Sequence, residues 1–142
     1  MIIALDLGRR RIGVAIADAD ALGAYPLGTI ERSSFQRDLT ALAVMLQGRH
    51  LETIVVGLPV SMDGTEGGPA RAARTYGERL AAALNVKVEM FDERLTSFEA
   101  EERLRAMSVR RGSKRAANSV DAIAAMVILE GWLETHRTSK KS

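Results

Sequence analysis

The chain has 142 residues, a formal net charge of +2, 46% hydrophobic and 27% charged residues, which is enough for one core and excludes disorder, collagen-like repetition and a coiled coil. The absence of cysteine excludes a disulfide scaffold, a thiol nucleophile and thiolate-bound zinc or iron–sulfur, and suits a reducing compartment, so a cytoplasmic address is expected. No apolar run approaches the ~18 residues of a membrane span, and the pI near 9.3 with clustered arginine points to a polyanionic partner. Aromatic residues at 4% argue against base stacking on several exposed rings, so nucleic acid would be gripped mainly by its backbone.

Met1 to Leu7 and Ile12 to Ala17 are apolar runs separated by Gly8, Arg9, Arg10 and Arg11, the pattern of two strands in a hairpin. A third strand is expected from Ala24 to Ile30. Between Ser33 and Gly48, Phe35, Leu39, Leu42, Met45 and Leu46 recur at helical spacing, with Ser33 or Ser34 as N-cap and Gly48 as terminator. Thr53 to Gly57 reads as a strand buried on both faces, and Pro59, Asp63, Gly64, Gly67 and Gly68 mark a turn-rich loop after it. Pro69 suits a first helical position, and Ala70, Ala73, Gly77, Leu80 and Leu84 continue a second helix. Val86 to Phe91 is a fifth strand.

Thr96 with Glu99 forms a capping-box pattern, which predicts a third helix to about Met107. Ser108 to Arg115 reads as a polar basic loop, and Ala116 to about Leu133 as a largely buried helix. The organisation is therefore one domain over residues 1–135 and a flexible basic tail over 136–142. Local hairpins followed by crossover units predict a mixed α/β sheet of five strands in which the first, fourth and fifth are parallel neighbours. Sites in such sheets lie beyond the carboxyl ends of the parallel strands, and here those ends carry Asp6, the loop from Gly57 to Gly68, and Asp92 with Glu93.

Asp6 stands among Ile2, Ile3, Ala4, Leu5 and Leu7, where a desolvated carboxylate costs several kcal/mol unless it is paired, hydrogen-bonded or bound to a cation. The alternative is a strand-end aspartate accepting backbone hydrogen bonds in the turn at Gly8. Asp121 is the single polar residue between Val120 and Leu129, which aims it at the sheet. With Asn118 as N-cap it would instead occupy the third helical position and stabilise the helix dipole by about 0.3 to 1 kcal/mol. Asp92 and Glu93 follow a buried strand and point to opposite sides, so at most one enters a shared site, and either could merely pair with Arg94.

Three acids converging on one sheet edge repel one another unless a divalent ion neutralises them. Hard oxygen donors favour Mg²⁺ or Mn²⁺ over zinc, since His50 and His136 have no flanking ligand pattern. Two such ions roughly 3.5 to 4 Å apart can activate water and stabilise the leaving oxygen of a phosphodiester. From Arg103 to Val120 the bases Arg103, Arg105, Arg110, Arg111, Lys114 and Arg115 occur without an acid, and Arg9, Arg10 and Arg11 adjoin Asp6. These residues suit phosphates, although a solvated helix end and loop would look the same.

The segments Ala4-Leu-Asp-Leu-Gly, Val56-Gly-Leu-Pro followed by Asp63-Gly, Asp92-Glu-Arg-Leu-Thr-Ser and Ser119-Val-Asp-Ala-Ile-Ala-Ala together resemble the YqgF (RuvX) family across nearly the whole chain. The resemblance implies an RNase H-like fold and a metal-dependent nuclease, either a pre-16S rRNA nuclease or a Holliday junction resolvase. It further implies that Asp6, Glu93 and Asp121 are catalytic metal ligands, which selects Glu93 over Asp92. Gly8, Arg9 and Arg10 are then expected near the scissile phosphate, with Arg94, Thr96 and Ser97 near substrate at a helix N-terminus. The expected partners are precursor rRNA or branched DNA, bound by a monomer or homodimer. Rivals are a noncatalytic RNA-binding assembly factor and an actin-like or sugar-kinase ATPase, the latter opposed by chain length and by the lack of a GxxxxGK[ST] loop.

Overall fold

The computed structural model describes residues 1–18, 23–96 and 113–141, together with Glu102 and Ala106; in the last helix, side chains are described over residues 120–136. The elements are β1 (Ile2–Leu7), β2 (Arg11–Ala17), β3 (Tyr25–Glu31), α1 (Phe35–Leu46), β4 (Thr53–Leu58), α2 (Gly68–Leu84), β5 (Lys87–Asp92), a short 3₁₀ turn (Glu93–Leu95) and α3 (Ser113–Lys141). The sheet order is β3-β2-β1-β4-β5. β1 and β3 flank β2 antiparallel, while β1–β4 and β4–β5 are parallel. This is the mixed sheet that the hairpin-then-crossover order predicts.

Local chemistry explains the element ends. The hairpin closes with the Gly8 amide donating to the Arg11 carbonyl at 2.9 Å. Ser34 caps α1 by accepting from the Arg37 amide at 3.2 Å, and α1 ends one residue before the expected glycine, at Gln47 in the left-handed region. α2 opens with Pro69 in its first turn and closes at left-handed Asn85.

The two faces of the sheet carry separate cores. Ile3, Leu5, Val14, Ile16, Ile54 and Val56 pack under Leu42 and Leu46 of α1 and Ala73, Tyr76 and Leu80 of α2. Ala4, Ala15, Ala17 and Val55 pack under Ile123, Met126, Ile128, Leu129 and Trp132 of α3. None of the described helices is long and apolar enough to cross a membrane.

Two sequence expectations change. α3 begins at Ser113, ahead of Ala116, because Lys114, Arg115, Ala116 and Ala117 are good helix formers and extend it backward through the expected basic loop. Asp121 therefore lies about two turns inside the helix, and the capping explanation for it fails. The helix also continues through Lys141, over the segment expected to be a frayed tail. Thr135 Oγ1 donates to the Gly131 carbonyl in the turn just before that segment. The helix expected from Thr96 to Met107 falls outside the described residues, apart from helical Glu102 and Ala106.

Candidate active site

Strand alternation assigns Asp6 its side of the sheet. Ile3 and Leu5 face α1 and α2, Ala4 faces α3, and Asp6 follows Ala4 at the carboxyl end of β1. Gly13 of β2 stands directly opposite Asp6 in the ladder. On the other side, the β1–β4 register pairs Leu5 with Val56, so Gly57 is the next residue along, beside Asp6. The carboxylate is thus flanked across three strands by two residues without side chains.

Those vacancies seat the other two acids. A Cβ on Gly13 would stand 1.9 Å from the Asp121 carbonyl oxygen, and one on Gly57 would stand 2.6 Å from both Glu93 Oε1 and Ile128 Cδ1. Gly13 lets the backbone of α3 descend onto the sheet at Asp121, and Gly57 lets the Glu93 carboxylate lie over β4. At Gly13 a methyl group would meet helix backbone, and at Gly57 it would press on the ends of two side chains.

The turn after β5 sorts the adjacent acids. Asp92 caps it, accepting from the Arg94 amide at 2.9 Å, and the Arg94 guanidinium closes on the same carboxylate, Nη2 to Oδ2 at 2.7 Å. The Arg94 hydrogen bond holds the Asp92 carboxyl below its ordinary range, outweighing desolvation. Arg94 also donates to the Ser61 carbonyl at 3.4 Å, which ties the loop after β4 to the turn. Thr96 Oγ1 donates to the Glu93 carbonyl at 2.7 Å. In this structure Arg94 and Thr96, expected near substrate, brace the turn that carries Glu93.

Asp6 and Glu93 line one cavity of about 280 Å³ with Gly8, Arg9, Arg32, and Pro69, Ala72 and Ala73 of α2. Arg32 was not marked by any sequence pattern. Its Nη1 donates to the Gly8 carbonyl at 2.8 Å, and its amide donates to the Arg10 carbonyl at 2.7 Å, so β3 delivers it against the hairpin turn. Arg10 contributes this carbonyl and does not line the cavity. α2 starts from Gly67 without a side-chain cap bond and has no acid in its first turn, leaving the positive end of its dipole at the cavity for an oxyanion.

Asp121 lies on the same face and does not line the cavity. Its Oδ2 is 3.2 Å from Arg11 Nε, yet this buried oxygen has no hydrogen bond of good geometry. Among the described residues, no group of three or more His, Asp or Glu side chains is gathered closely enough to hold a metal ion. The donor chemistry nonetheless fits a hard divalent ion, with two carboxylates on one cavity wall and a third, incompletely satisfied, on α3. Ser97, Arg110 and Arg111 lie outside the described residues, as do the side chains of Lys114 and Arg115.

Comparison with known proteins gives a consistent result. Residues 1–135 match the family described as RuvX, Holliday junction resolvase. A relative from Anaeromyxobacter sp. (strain K), named as a candidate pre-16S rRNA nuclease, is 50% identical over 132 residues, covering 93% of this chain and 95% of the relative. One from Trichormus variabilis with the same name is 44% identical over 140 residues, covering 99% of this chain and 91% of the relative. Among solved structures, T. thermophilus RuvC in complex with a Holliday junction substrate superposes with a TM-score of 0.54 at 13% identity, covering 95% of this chain and 96% of that one. The Fowlpox virus resolvase bound to junction DNA gives 0.53 at 12%, covering 95% and 99%. At such identities the likeness speaks for the fold, which is RNase H-like.

Proposed function

The chain belongs to the RuvX family of Holliday junction resolvases, and from that membership we propose that it is a metal-dependent hydrolase of phosphodiester bonds in structured nucleic acid, acting in the cytoplasm on the 5′ end of precursor 16S rRNA. The observation that carries this reading is the shared cavity, with Asp6 and Glu93 beside Arg9, Arg32 and the start of α2. Acids alone would repel a phosphate, and cations alone would bind it without cutting. The two sets side by side suit a reaction in which an anionic ester is held while water attacks it.

In this reading Asp6 and Glu93 hold Mg²⁺ or Mn²⁺, with Asp121 as the third ligand. Such an ion would supply the Lewis acidity that activates water and offsets charge on the departing oxygen. Arg9, Arg32 and the exposed amides of α2 orient the phosphate and take up charge that develops on its oxygens. Gly8 lets the hairpin turn close beside the cavity, since a Cβ there would stand 2.7 Å from the Arg11 carbonyl oxygen. Arg10, Arg110, Arg111, Lys114 and Arg115 grip the backbone away from the cut, which makes binding fall with salt. Arg94, Thr96 and Ser97 act around Glu93.

The test is to incubate purified protein with precursor 16S rRNA and with a four-way DNA junction, with Mn²⁺, Mg²⁺ or a chelator, using the native chain and Asp6→Asn. The expected result is metal-dependent trimming of the rRNA, lost by about 100-fold or more in a correctly folded Asp6→Asn protein. Full cleavage by that variant would falsify the mechanism. The second reading, favoured by the family match and the junction-bound neighbours, is a junction resolvase using the same site. It predicts a homodimer making paired cuts in the DNA junction, whereas the rRNA reading needs only a monomer. Salt-sensitive binding with no cleavage of either substrate would identify a noncatalytic assembly factor instead.

A further inference from the structure

We propose that Arg11 is a built-in occupant of the third metal-ligand position, neutralising Asp121 in the metal-free protein and yielding it when a divalent ion is held by Asp6 and Glu93. This rests on the metal-site reading above and adds to it a residue that sets metal affinity. The contact itself is the first observation. Arg11 Nε is 3.2 Å from Asp121 Oδ2, but that buried oxygen receives no well-formed hydrogen bond. Arg11 therefore supplies charge without satisfying the acceptor, which leaves the oxygen with a ligand position still to fill.

The second observation is the mechanical contrast between the partners. The Asp121 backbone is seated on Gly13, where even a methyl group would collide, so the helix cannot carry the carboxylate away. The Arg11 side chain is 43% exposed and belongs to the first residue of β2, so it can swing into solvent at little cost. Arg11 and Gly13 are two apart on one strand and share the α3 side of the sheet with Ala15 and Ala17. A cation bound beside Asp6 thus competes with Arg11 for the same oxygen.

The contact also accounts for the geometry of the site, where among the described residues no three acidic side chains are close enough to share an ion. Closing it requires Asp121 to leave Arg11 and turn toward the row of Gly13, Asp6 and Gly57. A divalent ion brings twice the charge of a guanidinium and direct coordination, so the exchange favours the metal once two ligands already hold it. The strength of the Arg11 pair is subtracted from the affinity of the native protein. Removing Arg11 should tighten metal binding and weaken the metal-free fold, which is then left with an uncompensated carboxylate.

The experiment is a Mn²⁺ titration of the full chain followed by electron paramagnetic resonance of the free ion, with thermal melts with and without Mn²⁺. With the competing guanidinium gone, Arg11→Gln is expected to bind Mn²⁺ about tenfold more tightly or better. Its metal-free melting temperature should drop and recover with Mn²⁺. Arg11→Met, which keeps the aliphatic stem, should match it and serves if the glutamine variant does not fold. Unchanged or weaker Mn²⁺ binding in these variants, with normal binding by the native chain, overturns the role of Arg11 and leaves the metal site standing. No Mn²⁺ binding by the native chain, with Asp6→Asn indistinguishable from it, removes the metal site and this proposal together.

Discussion

Under α1 and α2 the sheet presents Ile3, Leu5, Val14, Ile16, Ile54 and Val56, whereas under α3 it presents Ala4, Ala15, Ala17 and Val55, with Gly13 and Gly57 at the end nearest Asp6. The first face is filled by branched aliphatic side chains that hold the helices off the strands. The second is pared to methyl groups and hydrogens, so that α3 and the Glu93 carboxylate approach the backbone itself. The difference shows a division of labour. Bulk on one face supplies hydrophobic stabilisation, and small residues on the other give up part of it so that three acids from distant segments approach one strand end. The bulky face has its own polar element, buried Asp38 at 4% exposure, which accepts from Tyr76 Oη and from the Ser33 amide, each at 3.0 Å, and so links α1 to α2.

The largest effects should come from filling the two vacancies on the pared face, and they should differ in kind. Gly13→Ala drives a methyl group against helix backbone and is expected to cost about 3 kcal/mol or more in urea denaturation. Gly57→Ala meets only the ends of the Glu93 and Ile128 side chains, so it should fold with a smaller loss of stability. Its cleavage rate should nonetheless fall by about 100-fold, because displacing one carboxylate by about an ångström is enough for that. Equal stability losses with intact activity would erase the contrast between the faces.

On the bulky face, Tyr76→Phe leaves one Asp38 oxygen without its donor and should cost about 1 to 3 kcal/mol while sparing cleavage. Burial, reinforced by the bond to Asp38, raises the Tyr76 pKa above its ordinary value of 10.0. The folded state therefore keeps a proton that the unfolded state loses, and stability should decline as pH rises past about 10. Tyr76→Phe should lack that alkaline decline. The smallest effect belongs to the Asp92–Arg94 clasp. Because the Asp92 pKa is lowered from 3.8, its contribution is complete above that value and is lost as pH falls through the lowered folded value. Following the Arg94 Nε–H resonance through an acid titration should show the clasp opening below pH 3.8, and Asp92→Asn should abolish the transition.

The order of elements and the parallel centre of the sheet were legible from apolar runs and turn residues, and Asp6 and Asp121 stood out as charges in apolar surroundings, whereas the choice of Glu93 over Asp92 came only from the family resemblance. Gly13 was not legible, since a glycine inside a strand says nothing of which helix lands on it. Gly57 was legible as a strand end near the site, but its relation to Glu93 depends on the β4–β5 register. Arg32 carried no signal until β3 was placed, and Arg11, read with Arg9 and Arg10 as a base for phosphates, lies against Asp121 once α3 is placed. Asp121 was ambiguous because the start of its helix depended on whether the basic stretch before it stayed a loop. Propensity decided that locally, but the consequence for Asp121 lies in tertiary contact.

The most direct test of the central claim is anomalous diffraction from crystals grown with Mn²⁺. The account predicts a manganese peak at the carboxyl end of β1, coordinated by oxygens of Asp6 and Glu93, with Asp121 turned away from Arg11 toward the ion. Manganese bound elsewhere, or a carboxylate row that remains metal-free at saturating Mn²⁺, would contradict it.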